Sequence, residues 1–130
     1  MTLVDTSVLI DLFNDTATVA LARFEQLLLE GEDFAICGVV LTEVLQGIRS
    51  DRQHVSVRAA LESYLYLPMD RVVFEQAAEI YRGLRRRGIT IRKPVDCMIA
   101  ATAMEHNAWL LHNDRDFEPI ARHFGLKVHS

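Results

Sequence analysis

Acidic residues recur in this sequence where short apolar runs end or where a helical pattern begins. The set is Asp5, Glu43, Asp96, Asp114 and Asp116. Carboxylate oxygens are the ligands that Mg²⁺ prefers in proteins, together with water and substrate phosphate. Because carboxylates that converge repel one another and raise each other's pKa, a convergent set predicts a bound cation. The sequence therefore indicates a divalent-cation site, provided that the fold brings these acids together.

Each acid taken alone also has a simpler interpretation. Asp is a favoured N-cap residue, and a carboxylate in a first helical turn is stabilised by the helix dipole. Every Asp of the set fits such a capping role, and Glu43, which lies away from the apolar stripe of its helix, fits a solvated surface position. The pattern favours a metal site, because ligands bind at the carboxyl ends of the strands in a parallel sheet.

Short apolar runs alternate with helical patterns along the whole chain. The predicted strands end at Val4, cover 34–37 and 109–112, and include a short final run at 126–128. Two of the helices predicted between these runs cover 16–30 and 53–66. Apolar positions at helical spacing mark the others, within 8–13, 41–48, 74–84, 94–101 and 117–124, and the helix at 74–84 runs on into the basic residues before Gly88. This alternation predicts an α/β fold with a parallel sheet covered by helices on both faces.

Length and composition predict one globular domain, 1–130, since a typical domain has about 100–150 residues. Half of the residues are hydrophobic and 25% are charged, which excludes a disordered or collagen-like chain. Cys37 and Cys97 are too few for a disulfide framework. No apolar stretch reaches the roughly 18 residues of a membrane span, so we expect a cytoplasmic protein that does not enter a membrane.

The formal net charge of −4 argues at first against a nucleic-acid partner. Nearly all of the 14 basic residues are Arg, however, and Arg is the side chain suited to bidentate recognition of phosphate. An acidic metal pocket and an Arg-rich surface in one chain would together give this net charge. The charge therefore does not exclude RNA.

Four short motifs follow one another between residues 3 and 128. They are Val4-Asp5-Thr6-Ser7, Thr42-Glu43, Asp96-Cys97-Met98-Ile99-Ala100-Ala101 and Asn113-Asp114-Arg115-Asp116-Phe117. In their order and spacing they resemble the motifs of PIN domains, and in particular those of the VapC toxins of bacterial toxin–antitoxin pairs. Any one motif is weak, but the ordered set is specific.

The resemblance implies a three-layer α/β/α fold with a short-stranded central parallel sheet. It implies a Mg²⁺- or Mn²⁺-dependent endoribonuclease, the toxin of a type II pair, which hydrolyses RNA phosphodiester bonds and inhibits translation or growth. It also implies two protein partners. One is a cognate VapB-type antitoxin whose tail occludes the acidic site, and the other is a second copy of the chain in a homodimer.

The resemblance also implies roles for the matching residues. The catalytic acids it implies are Asp5, Glu43, Asp96, Asp114 and Asp116. The metal ligands it implies are Asp5, Asp96, Asp114 and Asp116, since family members differ in which acid of the last pair serves the metal. The supporting residues are Thr6, Ser7 and Asn113, of which the two hydroxyl residues would orient Asp5 or a water on the metal.

RNA bound beside carboxylates needs a rim of cations, because the acids repel phosphate. The best candidate is the basic stretch 82–93, in which we expect Arg86, Arg87 and Arg92 to contact RNA. The alternative is that such residues form ion pairs on a helix, as Glu79 and Arg82 could at a spacing of three.

His112 stands where many PIN-domain relatives carry Thr or Ser. It could hydrogen-bond the neighbouring acid or meet a phosphate, and the alternative is a structural role at the end of a strand. Two other functions also remain open from the sequence. One is a Mg²⁺-dependent phosphotransfer or phosphatase domain with a phosphorylated Asp5, and the other is a catalytically inert binding module with a PIN-like fold.

Overall fold

A parallel sheet of four short strands forms the centre of the fold, as seen in a computed structural model that describes residues 1–129. In chain order the strands are β1 (Thr2–Val4), β2 (Phe34–Cys37), β3 (Leu65–Leu67) and β4 (Trp109–Leu111). Their spatial order is β3-β2-β1-β4, and all neighbouring pairs are parallel. Because β1 and β4 are adjacent and parallel, the residues that follow them emerge side by side at one edge.

Helices connect and flank these strands. They are α1 (Thr6–Phe13), α2 (Val19–Leu29), α3 (Gly38–Gln46), α4 (Asp51–Leu61), α5 (Arg71–Arg86), α6 (Pro94–Glu105) and α7 (Glu118–Phe124). A 3₁₀ turn at Arg115–Phe117 leads into α7. The α/β prediction and its parallel sheet are confirmed.

Local sequence explains where the important helices begin. Asp5 is the N-cap of α1 and accepts a hydrogen bond from the backbone N–H of Ser7. Pro94 occupies the start of α6, where its fixed φ and missing N–H are tolerated. This start places Asp96 in the first turn of α6, as the sequence predicts.

The core lies between the sheet and the helices that cover it. Leu3 and Leu110, on adjacent strands, have no exposed surface, and neither has Ile99 of α6. Small residues follow Ile99, and Ala100 and Ala101 are also fully buried. The apolar, Ala-rich sequence of α6 therefore fixes the helix, and with it the start of the helix, against the rest of the core.

The prediction of a helix at 53–66 is wrong at its carboxyl end. The helix ends at Leu61, and Leu65–Leu67 forms edge strand β3, which pairs with Ala35–Cys37. Leu67 is buried, whereas Leu65 and Tyr66 are largely exposed. Three residues are too few for hydrophobic periodicity to separate a strand from a last helical turn, so only the tertiary pairing decides between them.

Several other element ends also differ from the predicted ones by a few residues. The helix predicted from residue 16 begins at Val19, because Thr18 caps it by accepting a hydrogen bond from the N–H of Leu21. The predicted final strand at 126–128 is reduced to a single bridge between Leu110 and Val128. Among residues 1–129, no helix is long and apolar enough to cross a membrane.

Phe117→Ala tests the packing beneath the loop that follows β4. Phe117 is fully buried, and its ring centroid lies 5.0 Å from that of His112. We expect the free energy of unfolding to fall by about 3–5 kcal/mol in urea titrations followed by circular dichroism. The matched control is Phe74→Ala, at a residue that is 43% exposed, for which a loss of about 1 kcal/mol or less is expected. Equal losses in the two variants would contradict this packing.

Candidate metal centre

The fold brings four of the predicted acids to the carboxyl edge of β1 and β4. Asp5 directly follows β1, and its N–H donates a 2.9 Å hydrogen bond to the carbonyl of Leu111 at the end of β4. Asp114 and Asp116 lie in the loop after β4, and Asp96 opens α6. The edge where parallel strands end is therefore also the edge where the acids collect.

Three of these carboxylates form a compact cluster. One oxygen each from Asp96, Asp114 and Asp116 lies within 4.8 Å of the other two. Asp96 is only 3% exposed, and its Oδ2 atom is buried without a hydrogen-bond partner. The N–H of Asp116 donates to Asp114 Oδ1 at 2.9 Å, so a tight turn holds the other two acids together.

The electrostatics of the cluster favour a cation. Burial raises the pKa of Asp96 to about 7, with the negative charges of Asp5, Asp114 and Asp116 acting in the same direction and Lys93 opposing them. Burial also raises the pKa of Asp5, although its hydrogen bonds with Ser7 oppose that rise. A hard divalent cation would relieve this repulsion and give the orphaned Asp96 oxygen a partner, so the donor set fits such an ion.

Asp5 and Glu43 form a second arm of the site. Asp5 Oδ2 accepts hydrogen bonds from Ser7 through its N–H at 3.1 Å and its hydroxyl at 2.5 Å. The Thr6 hydroxyl donates to Glu43 Oε1 at 2.7 Å and so links α1 to α3. Within residues 1–129, the 4.8 Å cluster comprises only the other three acids. The negative charge of Glu43 nevertheless contributes to the raised pKa of Asp5.

A hydrogen-bond chain anchors the loop after β4 onto α1. The Ser7 hydroxyl accepts from the N–H of Asn113 at 2.9 Å, and the Asn113 side-chain amide donates to Asp11 Oδ2 at 3.0 Å. The Thr18 hydroxyl donates to the same oxygen at 3.0 Å. Asp11 was not identified from the sequence, where its only signal is an acid within the apolar run of α1.

His112 also supports this loop. Its Nδ1 accepts a 3.1 Å hydrogen bond from the N–H of Asp114, and its ring packs against Phe117. Burial lowers the pKa of His112, while the charges of Asp5 and Asp114 oppose that change. These contacts indicate a structural role for His112, which holds the backbone beside the acids in place.

Two basic side chains of the stretch 82–93 form ion pairs with the clustered acids. Lys93 Nζ is 2.6 Å from Asp114 Oδ2 and 3.9 Å from Asp96 Oδ2. Arg92 donates to both carboxylate oxygens of Asp116, at 3.2 and 3.4 Å. Burial acts to raise the pKa of Asp114, but hydrogen bonds from Lys93 and from the N–H of Asp116 hold that pKa below its usual value.

The other predicted RNA contacts lie at the end of α5. Arg86 and Arg87 are exposed, and Gly88, with a positive φ of 77°, turns the chain back toward α6. Arg82 pairs with Glu79 at 2.7 Å, as the alternative interpretation predicts for that residue. Within the basic stretch, Arg82 therefore pairs along its helix and Arg92 and Lys93 pair with the acids. Arg86 and Arg87 lie exposed at the end of α5.

Comparison with known proteins places this geometry in a family. The model of the PIN domain matches residues 2–123. Ribonuclease VapC11 of Mycobacterium tuberculosis is 36% identical across 100% of this chain and 98% of its own length. The chain belongs to the VapC family of PIN domains. The resemblance drawn from the four motifs is therefore confirmed.

Relatives and solved structures agree with this placement of the VapC-family chain. Ribonuclease VapC1 of Methanocaldococcus jannaschii is 34% identical over 98% of this chain and 85% of its own length. VapBC2 from Rickettsia felis, solved bound to a DNA fragment from its promoter, superposes with a TM-score of 0.78 at 20% identity, over 98% of this chain and 96% of that chain. A toxin–antitoxin complex from Klebsiella pneumoniae superposes with a TM-score of 0.74 at 25% identity, over 100% and 97%. The predicted PIN-like fold is confirmed.

Asp96→Asn should stabilise the metal-free VapC-family chain at alkaline pH. The pKa of Asp96 rises from 3.8 to about 7 on folding, so ionisation of its carboxylate costs stability across that window and the cost is complete above it. We expect the neutral variant to gain about 1–3 kcal/mol near pH 8 and almost nothing near pH 4. Thermal unfolding in EDTA measures the difference.

Asp33→Asn is the control for this experiment, because Asp33 is exposed and precedes β2 at the opposite edge of the sheet. Its unfolding midpoint should match the parent at both pH values. An Asp96→Asn variant that melts at or below the parental temperature near pH 8 would show that the Asp96 carboxylate is not under electrostatic strain.

Proposed function

We propose that this chain is a metal-dependent endoribonuclease, the toxin of a type II toxin–antitoxin pair, acting in the cytoplasm as a single nuclease domain. The observation that carries the proposal is the convergence of Asp96, Asp114 and Asp116 at the carboxyl edge of the sheet, with one buried oxygen that lacks a partner. The relatives that share this chain's length are named ribonucleases, which supports RNA as the substrate.

The donor set favours Mg²⁺ or Mn²⁺, because every candidate ligand is a carboxylate oxygen. The ligands we propose are Asp96, Asp114 and Asp116, with Asp5 adjoining them. When bound, such an ion lowers the pKa of a water molecule and polarises the scissile phosphate. Cys37 and Cys97 are not candidate metal ligands, because both are buried and burial raises the pKa of each thiol to about 11.

The chain's own residues prepare the site for hydrolysis. Ser7 fixes the orientation of Asp5, and Thr6 fixes that of Glu43. We assign to Glu43 the orientation of the attacking water and acceptance of its proton, because this carboxylate is partly exposed at the rim of the site. The two hydrogen bonds on Asp5 Oδ2 favour an anchored supporting carboxylate over a free nucleophile, which argues against the phosphotransfer alternative.

RNA would approach across the basic stretch. Arg86 and Arg87 are exposed at the end of α5, and the following turn leads to Arg92 and Lys93 beside the acids. Exposed guanidinium groups supply the phosphate affinity that the carboxylates oppose. As protein partner we propose a VapB-type antitoxin, supported by structural neighbours that are toxin–antitoxin complexes. The homodimer implied by the family resemblance stays a prediction.

Asp114→Asn and Asp96→Asn should each abolish metal-dependent RNA cleavage. Loss of an outer partner of a metal site typically costs about 10–100-fold, so loss of a ligand should cost at least about 100-fold. Cleavage of a labelled RNA pool by purified protein, with Mg²⁺ or Mn²⁺ and with EDTA, measures the effect. The Asp33→Asn control should retain the parental rate. If the Asp96 and Asp114 variants also retain it, the active site lies elsewhere.

The double variant Arg86→Ala/Arg87→Ala should weaken RNA binding at all sequences alike. Each lost phosphate contact to single-stranded RNA should flatten the dependence of log K on log salt by about 0.7. Fluorescence anisotropy in the cleavage-deficient Asp96→Asn background measures binding alone. The control is Arg71→Ala, at the other end of α5, where Arg71 pairs with Glu75. An unchanged salt slope in the double variant would remove these residues from the RNA surface.

A further inference from the structure

The ammonium group of Lys93 lies at the point where two of the clustered carboxylates meet. Its Nζ atom hydrogen-bonds Asp114 Oδ2 at 2.6 Å and faces Asp96 Oδ2 at 3.9 Å. The longer distance is an ion pair without a hydrogen bond, so the Asp96 oxygen is neutralised only in part. The hydrogen bond from Lys93 to Asp114 also raises the pKa of Lys93, which keeps this side chain charged.

Arg92 forms an ion pair with the third carboxylate of the cluster. Its guanidinium reaches both oxygens of Asp116, while its side chain remains 77% exposed. Lys93 is 53% exposed. Both residues belong to the connection between α5 and α6, which also follows the exposed Arg86 and Arg87. Long, mostly exposed side chains can leave these carboxylates without disturbing the core.

The cluster's ion pairs conflict with metal binding. The oxygens that Lys93 contacts, on Asp96 and Asp114, are among those whose charge and convergence fit a divalent cation. A positive ammonium and a divalent cation at the same oxygens repel each other, so both cannot hold these positions together. Lys93 pairs with Asp114 and neutralises the neighbouring Asp96 in part.

We propose that Lys93 is a built-in counter-ion that competes with the divalent cation for Asp96 and Asp114, and that metal binding turns its ammonium toward the RNA phosphates. The inference rests on the proposed function for the nature of the metal and the substrate. It adds a coupling between them. Metal binding releases a cation that RNA can use, and by reciprocity RNA that holds this cation strengthens metal binding.

A purely structural salt bridge predicts a different behaviour. If Lys93 only braced the loop, its removal would loosen Asp114 and weaken metal binding. If Lys93 competes, its removal strengthens metal binding, because the ligands no longer carry a bound cation. The sign of the change in metal affinity therefore separates the two roles, and cleavage activity is not needed to read it.

The test is calorimetric titration of Mn²⁺ into EDTA-stripped protein, for the parent, Lys93→Met, Lys93→Gln and Lys93→Arg. The two neutral variants should bind Mn²⁺ about tenfold more tightly, the size expected when one charge near a divalent ion is removed from a solvated site. Lys93→Arg keeps the charge and should stay within about threefold of the parent. The control, Lys127→Met, removes a lysine that hydrogen-bonds Asn107 and should change nothing.

Thermal unfolding supplies a second readout of the same competition. The rise in unfolding midpoint on adding Mn²⁺ should be larger in both neutral Lys93 variants than in the parent, since stabilisation follows ligand affinity. For release toward RNA, the readout is anisotropy in a Glu43→Gln background with Mn²⁺. There, Lys93→Met should flatten the salt slope of RNA binding by about 0.7.

The outcomes distinguish failure of this inference from failure of the proposed function. Equal or weaker Mn²⁺ binding in Lys93→Met and Lys93→Gln overturns the competition, while the proposed metal site stands. An unchanged salt slope overturns the release toward RNA. Mn²⁺ binding that survives Asp96→Asn, or that is absent from the parent and every Lys93 variant, overturns the metal site and the inference together. Binding by the neutral Lys93 variants alone would support the competition in its strongest form.

Discussion

The buried carboxylate of Asp96 is the constraint on which the rest of the site depends. A carboxylate that has left water needs hydrogen bonds, a counter-ion or a proton, since an unpaired buried charge is strongly destabilising. Here one of its oxygens has no hydrogen-bond partner, and three other acids surround it. Burial is imposed by the tight packing of α6 in the core, so compensation has to come from the open side. A proton provides it below a pH of about 7, and above that pH Lys93 or a divalent cation must do so.

The remaining contacts hold the other acids at fixed positions around that carboxylate. The backbone bond between Asp5 and Leu111 joins the ends of β1 and β4. The chain through Ser7, Asn113 and Asp11 then secures the loop after β4 on α1. Such preorganisation keeps repelling groups close, where an unsupported loop would move apart. Repulsion among these acids therefore lowers the local stability of the fold, but the site is already arranged to bind a cation.

Much of this arrangement is predictable from the sequence. Asp5 and Asp96 lie where a strand end and a proline-started helix place them, because caps and first turns have strong local signals. Those acids lie at the same edge because the sheet is parallel, and the short apolar runs with intervening helices already indicate such a sheet. Family motifs added the assignment of a nuclease fold, and the comparisons bear that assignment out.

Other features depend on tertiary contacts that leave no local signal. Strand β3 is three residues long and exists through its pairing with β2. Arg92 and Lys93 reach the acids through long side chains whose direction the sequence does not determine. The sequence therefore identifies both only as members of a basic stretch. Asp11 is one acid on an apolar helix, and its role becomes visible only when Asn113 is brought to it.

We infer that Asp96 and its neighbours hold a divalent cation in place of Lys93. Anomalous diffraction from crystals soaked with Mn²⁺ tests it most directly, because the Mn²⁺ signal locates the ion and the same map shows the lysine. We expect a peak among Asp96, Asp114 and Asp116, with the Lys93 ammonium withdrawn from Asp114. A peak at another place, or no peak with Lys93 still on Asp114 at saturating Mn²⁺, would contradict it.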